Sequence, residues 1–429
     1  MVEYTQERIA VQDLLTGMFV SRLDRPWVGT PFPIQGFHIQ SEDDIRKLGL
    51  YCKHVYVDIA KSRVPSRRLL QRLENQPAPA SSPRRVRLAV NEEVYEKTRP
   101  LKQEVTIAGR LHDDISRAVD QLMDKAATGR PIVLKKAKKV TDRMVESIAR
   151  NPDAFIWIAR IRNKDQYTYS HSIRATIWAI TFGRHLELAR DRLENLALGM
   201  LLSEVGKTRL PDHILQKHGR LKEEEFEIMK KHVNYGVAIL REIPDIHPEV
   251  VEVVANHHER HNGSGYPRGL KGNQIPLLGR IAGIVDFYDA LTCPRHEALA
   301  LSPAEAMIKL HELRDRDFQA EVVDEFIQAI GIYPTGSLIE LSTGEVGVIT
   351  EQNADRRLRP RVLLLLDRHK QPLRRPREID LQKTEKDKKG RKLTIAACLP
   401  EGSYGIDLSR YRKNFIGRFL GMGNPLFRH

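Results

Sequence analysis

Asn256–Thr292 reads NHHERHNGSGYPRGLKGNQIPLLGRIAGIVDFYDALT. His257 and His258 put two imidazole donors side by side, a metal-binding composition. Gly263, Gly265 and Gly269 let the backbone turn tightly or approach a ligand closely, and Pro267 stiffens the turn. Beyond the loop, Ile281, Ile284, Val285 and Tyr288 recur at helical spacing with Asp286 among them. A carboxylate in so apolar a run has to be paired, ligated or turned to a cavity. The stretch reads as one wall of a metal-dependent hydrolytic site.

Working outward, apolar residues at i, i+3 and i+4 predict helices over 168–187, 191–205, 222–240, 247–260, 276–291, 302–315 and 319–330. Joined by short loops, they predict a compact all-α domain over 165–331. Five candidate ligands fall at or near these helices: His171, His232, His257, His258 and Asp286. Histidine with carboxylate suits iron, manganese, zinc or nickel, and a ligand set without cysteine argues against a structural zinc site. Two adjacent metals would activate a water and stabilise the leaving oxygen of a phosphodiester.

The flanks differ in character. A chain of 429 residues exceeds one ordinary core and suggests two to four domains. Residues 1–65 predict a small α+β module: a strand region over Ile9–Val20, a helix begun by Ser41-Glu42-Asp43-Asp44, and a strand at HVYVDI from His54. Residues 66–100 form a Pro/Arg-rich linker, and 101–164 a helical stalk. In 332–382 the period changes to that of strands, with a turn at Ser342-Thr343-Gly344, predicting a small β subdomain. Residues 383–429 read as a basic tail, expected to be disordered in part.

The formal net charge of +14 suits an acidic ligand or partner. No DNA-binding motif accompanies it, so specific nucleic-acid binding is not expected. Cys52, Cys293 and Cys398 are too few and too scattered for a disulfide framework, which points to a reducing cytoplasm. No signal pattern and no apolar run of spanning length appear, so a cytoplasmic protein without membrane contact is expected.

The order of the blocks carries a resemblance. YTYSHS surrounds His171, VGKTRLPDHIL begins at Val205, and MKKHVNYG surrounds His232. HHERHNGSGYPRGLKGNQIPL and RIAGIVDFYDALT follow. From Tyr167 to Phe326 the chain resembles an HD-GYP domain, a group of HD-superfamily phosphohydrolases that degrade cyclic di-GMP. The N-terminal module is similar to a small domain that often precedes HD-GYP, and the β region after Ile332 to its usual C-terminal extension. The resemblance implies metal ligation by His171, Glu204, His232, His257, His258 and Asp286, with iron or manganese as one or two ions. It implies phosphate contacts from Lys207 and Arg295, and catalytic roles for Glu204 and Lys207. It also implies docking of GGDEF-domain proteins on the Gly265-Tyr266-Pro267 loop.

Two departures bear on activity. The family's His-Asp dyad is replaced by Ser203-Glu204, which removes one nitrogen donor and lengthens the carboxylate side chain by ~1.5 Å. After Asp286, Arg295 keeps one phosphate-binding position, while Glu297 and Ala298 stand where the family has other residues. The expectation is therefore a cyclic di-GMP signalling protein with weak or lost hydrolysis that still binds nucleotide or partner. The alternative is an active phosphodiesterase, yielding pGpG or GMP, with Glu204 in the bridging role.

Overall fold

The computed structural model describes residues 6–25, 30–32, 36–58, 62, 93–161, 167–217, 219–293, 300–353, 358–387 and 390–408. The chain divides into two compact units, Met1–Ala89 and Val90–His429.

In the first unit, β1 (Gln6–Ala10), β2 (Phe19–Leu23), β3 (Phe37–His38) and β4 (His54–Asp58) form an antiparallel sheet in the order β1-β4-β2-β3. The alternation in HVYVD turns Val55 and Val57 into the core, where they meet Val20, Ile9 and Leu48. Leu48 comes from helix Glu42–Tyr51, whose first turn is closed by Asp44 accepting from the amides of Gln40 (2.9 Å) and Ser41 (3.1 Å). The expected α+β module is present. Its first strand region is split, because the chain turns at Val11–Asp13 and again at Gly17 (φ +95°) before β2 begins.

The second unit starts before the expected end of the linker. The Tyr95 hydroxyl donates to the carbonyl of Leu188 (3.0 Å), so the chain is already docked there. The arginine-rich part of the linker, within 63–92, lies outside the described residues. Helices Leu101–Ala127, Lys135–Arg150 and Pro152–Ile161 pack on one another and on helices Tyr167–His185 and Arg190–Leu202. The stretch read as a stalk is thus a layer of the helical unit. Buried Glu104 fastens it, accepting from Ser147 Oγ (2.6 Å) and from Arg150 Nε (3.1 Å) and Nη2 (2.8 Å). Burial opposes the charge on Glu104, and these donors outweigh it and lower its pKa.

Helices Glu223–Arg241, Pro248–Asn256, Leu277–Thr292, Pro303–Glu312 and Ala320–Ile330 complete the helical part, each within a few residues of its sequence-based bounds. The C-terminal sheet comprises β5 (Leu338–Leu341), β6 (Val346–Glu351), β7 (Arg361–Leu366), β8 (Pro372–Asp380) and β9 (Ile395–Leu399), in the order β8-β7-β6-β5-β9. Lys97 and Asp153 tie it to the helices: Lys97 Nζ bridges Asp153 (3.3 Å) and Glu351 (2.9 Å), and Thr335 Oγ1 donates to Asp153 (2.6 Å). β9 corrects the reading of a basic tail from 383. Leu393 enters the sheet's core, and the strand pairs with β5, Leu338 opposite Leu399. Lysines and an arginine just before this short apolar run (Lys386, Arg391 and Lys392) obscure it in the sequence. Residues 409–429 lie outside the described residues. Among the described residues, no helix is long and apolar enough to cross a membrane.

Candidate metal centre

Five helical segments converge on one point. His171 comes from helix Tyr167–His185, and His232 from Glu223–Arg241. His257 and His258 close helix Pro248–Asn256, and Asp286 lies on Leu277–Thr292. Glu204 arrives differently. Helix Arg190–Leu202 ends at Ser203, and the chain turns at Glu204 (φ −95°, ψ 2°) into a short 3-10 segment, Val205–Arg209. The turn leaves the Glu204 carboxylate buried among the histidines.

The side chains fall into two groups: Glu204, His232, His257 and His258, and then His171, Glu204 and Asp286. Within each group the potential ligand atoms all lie within 4.8 Å of one another. Glu204 belongs to both. Ser203 is buried and donates its hydroxyl to the carbonyl of Met200 (2.9 Å).

The hydrogen bonds set the imidazole tautomers. His232 Nδ1 donates to the carbonyl of Met229 (2.7 Å), and His257 Nδ1 to that of Val254 (2.8 Å). Each is a carbonyl of the histidine's own helical turn, so each Nε2 is left with a lone pair directed inward. The two Nε2 atoms stand 3.4 Å apart. Two facing lone pairs at that range repel unless a positive charge is shared between them. The donor set, imidazole with carboxylate, therefore fits a divalent transition metal.

Electrostatics agree with that fit. Burial drives the pKa of His232 down to about 4 and lowers those of His257 and His258, so the three rings are neutral and able to ligate. For Glu204, burial opposes ionisation, but Lys207 and the surrounding histidines hold the carboxyl well below the usual range. Lys207, three residues on, contacts Glu204 directly. His258 Nδ1 stands 3.5 Å from Asp286 Oδ2.

His171 is held from both sides. Nε2 faces Asp286 Oδ1 (3.1 Å) and Nδ1 faces Asp289 Oδ2 (2.8 Å). Burial works against its charge, and the two carboxylates outweigh burial, pushing its pKa up to about 9. Asp289 also accepts from Arg174 Nε (3.0 Å), Arg174 Nη2 (3.0 Å) and Trp178 Nε1 (3.2 Å). Burial would raise its pKa, but Arg174 and His171 pull it down to about 2. Sequence reasoning did not assign Asp289 a role, although its position three residues after Asp286 puts both on one face of a helix. Asp289→Asn is expected to lower metal affinity about 10- to 100-fold, measured by titrating the metal-free chain with Mn(II).

The glycine-rich loop is shaped by close approach. A Cβ on Gly265 would lie 2.3 Å from the amide nitrogen of Arg260 and 2.5 Å from the carbonyl of His258, so only glycine fits. The Tyr266 amide donates to that carbonyl (3.2 Å), and the Tyr266–Pro267 peptide is cis. Buried Glu259 anchors the far side, accepting from the amides of Arg268 (2.8 Å) and Leu270 (2.9 Å). The Tyr266 ring consequently lies against His258, centroids 4.6 Å apart. Arg295, Glu297 and Ala298 lie outside the described residues.

The helical core matches the HD domain over residues 156–322. Residues 6–137 match a domain of unknown function, DUF3391, and 338–386 match a KOW domain associated with HD domain. A cyclic di-GMP phosphodiesterase of Pseudomonas aeruginosa is 33% identical over 83% of this chain and 84% of its own length. A cyclic di-GMP phosphodiesterase of Thermotoga maritima is 34% identical over 38% of this chain and 45% of its own. A 3'3'-cGAMP-specific phosphodiesterase of Vibrio cholerae is 32% identical over 39% of this chain and 32% of its own. The shared domain order, the match along most of the Pseudomonas relative and the GSGYP loop beside the paired histidines agree: the chain belongs to the HD-GYP family of HD-domain proteins.

Proposed function

We propose that this chain is a metal-dependent cyclic di-GMP phosphodiesterase in which Glu204 takes the bridging role. One observation carries the reading: Glu204 is common to both groups of candidate ligands. The expectation of weak or lost hydrolysis rested on the nitrogen donor missing at Ser203, on the longer side chain of Glu204 and on Glu297 and Ala298 after Asp286. Against the second of these, the Glu204 carboxylate is buried and lies within 4.8 Å of the other candidate ligand atoms of both groups. The relatives' activities point the same way.

When bound, divalent ions at such a cluster supply activation of a water and stabilisation of the leaving oxygen of a phosphodiester. This chain's residues do the rest. His232, His257 and His258 present neutral nitrogen donors, with His232 and His257 oriented by backbone carbonyls. Asp286 and Glu204 supply the negative charge that favours divalent ions, and Asp289 with Arg174 fixes the His171 ring. Lys207, partly exposed beside Glu204, places a cation where a non-bridging phosphate oxygen can meet it. Iron or manganese suits this mixed nitrogen and oxygen set. In the alternative reading the Gly265-Tyr266-Pro267 loop serves a GGDEF-domain partner and the centre does not turn over.

Chromatography of cyclic di-GMP incubated with the chain and Mn(II) or Fe(II) under reducing conditions separates the two. Linear pGpG or GMP is the expected product, with 3'3'-cGAMP as the competing substrate. Intact cyclic di-GMP, bound but uncleaved, would support the alternative.

A further inference from the structure

Phe226 lies in the first turns of helix Glu223–Arg241 with 42% of its surface exposed. Its place is fixed from behind: Glu225 accepts from the Lys222 amide (2.6 Å) and from Lys217 Nζ (2.6 Å). The Phe226 ring meets Tyr266 edge-on, centroids 6.0 Å apart and planes at 86°. Tyr266 in turn lies on His258 at 4.6 Å, with planes at 31°. A row of rings thus runs from the candidate metal centre to the surface and ends on an exposed aromatic face. Lys230 Nζ stands beside that end, 4.9 Å from the Phe226 centroid and 5.8 Å from that of Tyr266.

We propose that Phe226 is the stacking platform for a purine base of the substrate, a substrate-binding residue that no part of the metal centre requires. The substrate class rests on the phosphodiesterase reading above. A phosphodiester held at the histidines carries a nucleobase one sugar away, and that base must leave the metal centre along one of its walls. The wall made by Tyr266 and Phe226 offers π-faces, which accept a base without hydrogen-bond readout. Lys230, which also pairs with Glu227 (2.5 Å), places an ammonium beside the rings that can turn to the second phosphate of a cyclic dinucleotide.

The test pairs steady-state kinetics with binding of GMP, which has a purine but no phosphodiester to cleave. In the metal-loaded chain, Phe226→Leu is expected to raise KM for cyclic di-GMP and the Kd of GMP about tenfold, with kcat within about twofold. Phe226→Trp restores both. Wild-type turnover with KM and GMP binding unchanged in Phe226→Leu would overturn the platform and leave the phosphodiesterase reading standing. So would a Phe226→Leu variant that loses metal and kcat together, since the ring would then only brace Tyr266 and His258. A wild-type chain without turnover whose GMP binding weakens in Phe226→Leu would keep the platform and sink the phosphodiesterase reading. Neither turnover nor GMP binding in the wild type would end both.

Discussion

Glu204→Gln is expected to reduce cyclic di-GMP hydrolysis by roughly 10³-fold or more, about 4 kcal/mol of transition-state stabilisation. The substitution keeps the size of the side chain and removes its charge. Glu204 stands in both ligand groups, so both lose their shared carboxylate at once. The metal-to-chain ratio after dialysis should fall with the rate, and equilibrium titration of the variant should show weaker uptake at every position. Lys207, which contacts Glu204, would lose its counter-charge, so a modest loss of thermal stability is expected as well. Full metal content with full turnover would remove Glu204 from the bridging role.

Gly206→Ala is expected to cost about 3 kcal/mol or more of stability, with a fall in Tm of about 10 °C. An added Cβ would stand 1.9 Å from the carbonyl oxygen of His232 and 2.4 Å from the amide nitrogen of Gly236. Both are backbone atoms of helix Glu223–Arg241, so no side-chain rotation relieves the clash. The helix has to move away from Val205–Arg209, carrying His232 away from Glu204. Stability and metal affinity should therefore fall together in thermal melts with and without Mn(II). Gly49 is the control. Its added Cβ would meet Val11 Cγ1 at 3.7 Å, an ordinary contact, and Gly49→Ala in the last turn of helix Glu42–Tyr51 should be neutral or slightly stabilising.

What the sequence disclosed follows from how local each signal is. Helical periodicity and the turn at Ser342-Thr343-Gly344 are short-range patterns, and the elements they predict lie where expected. His171, His232, His257, His258 and Asp286 were legible as a set, because each breaks an otherwise consistent helix pattern with a group that needs a partner. Ser203-Glu204 reads in the sequence as an expected departure, but its place in the site does not. Whether a longer carboxylate reaches the cluster depends on the backbone leaving the helix at Ser203, which no periodicity encodes. Asp289 and Arg174 stayed out of view because their partners are more than a hundred residues apart in sequence. β9 was missed for a compositional reason, its apolar run being too short to stand out from the basic residues that precede it.

The most direct measurement takes one preparation of the chain, loaded with Mn(II) or Fe(II) under reducing conditions. Metal content by elemental analysis and the rate of cyclic di-GMP cleavage are read from the same sample. The account predicts two metal ions per chain and steady turnover to a linear or mononucleotide product, both lost in Glu204→Gln. One metal ion or none, with cyclic di-GMP left intact, would contradict it.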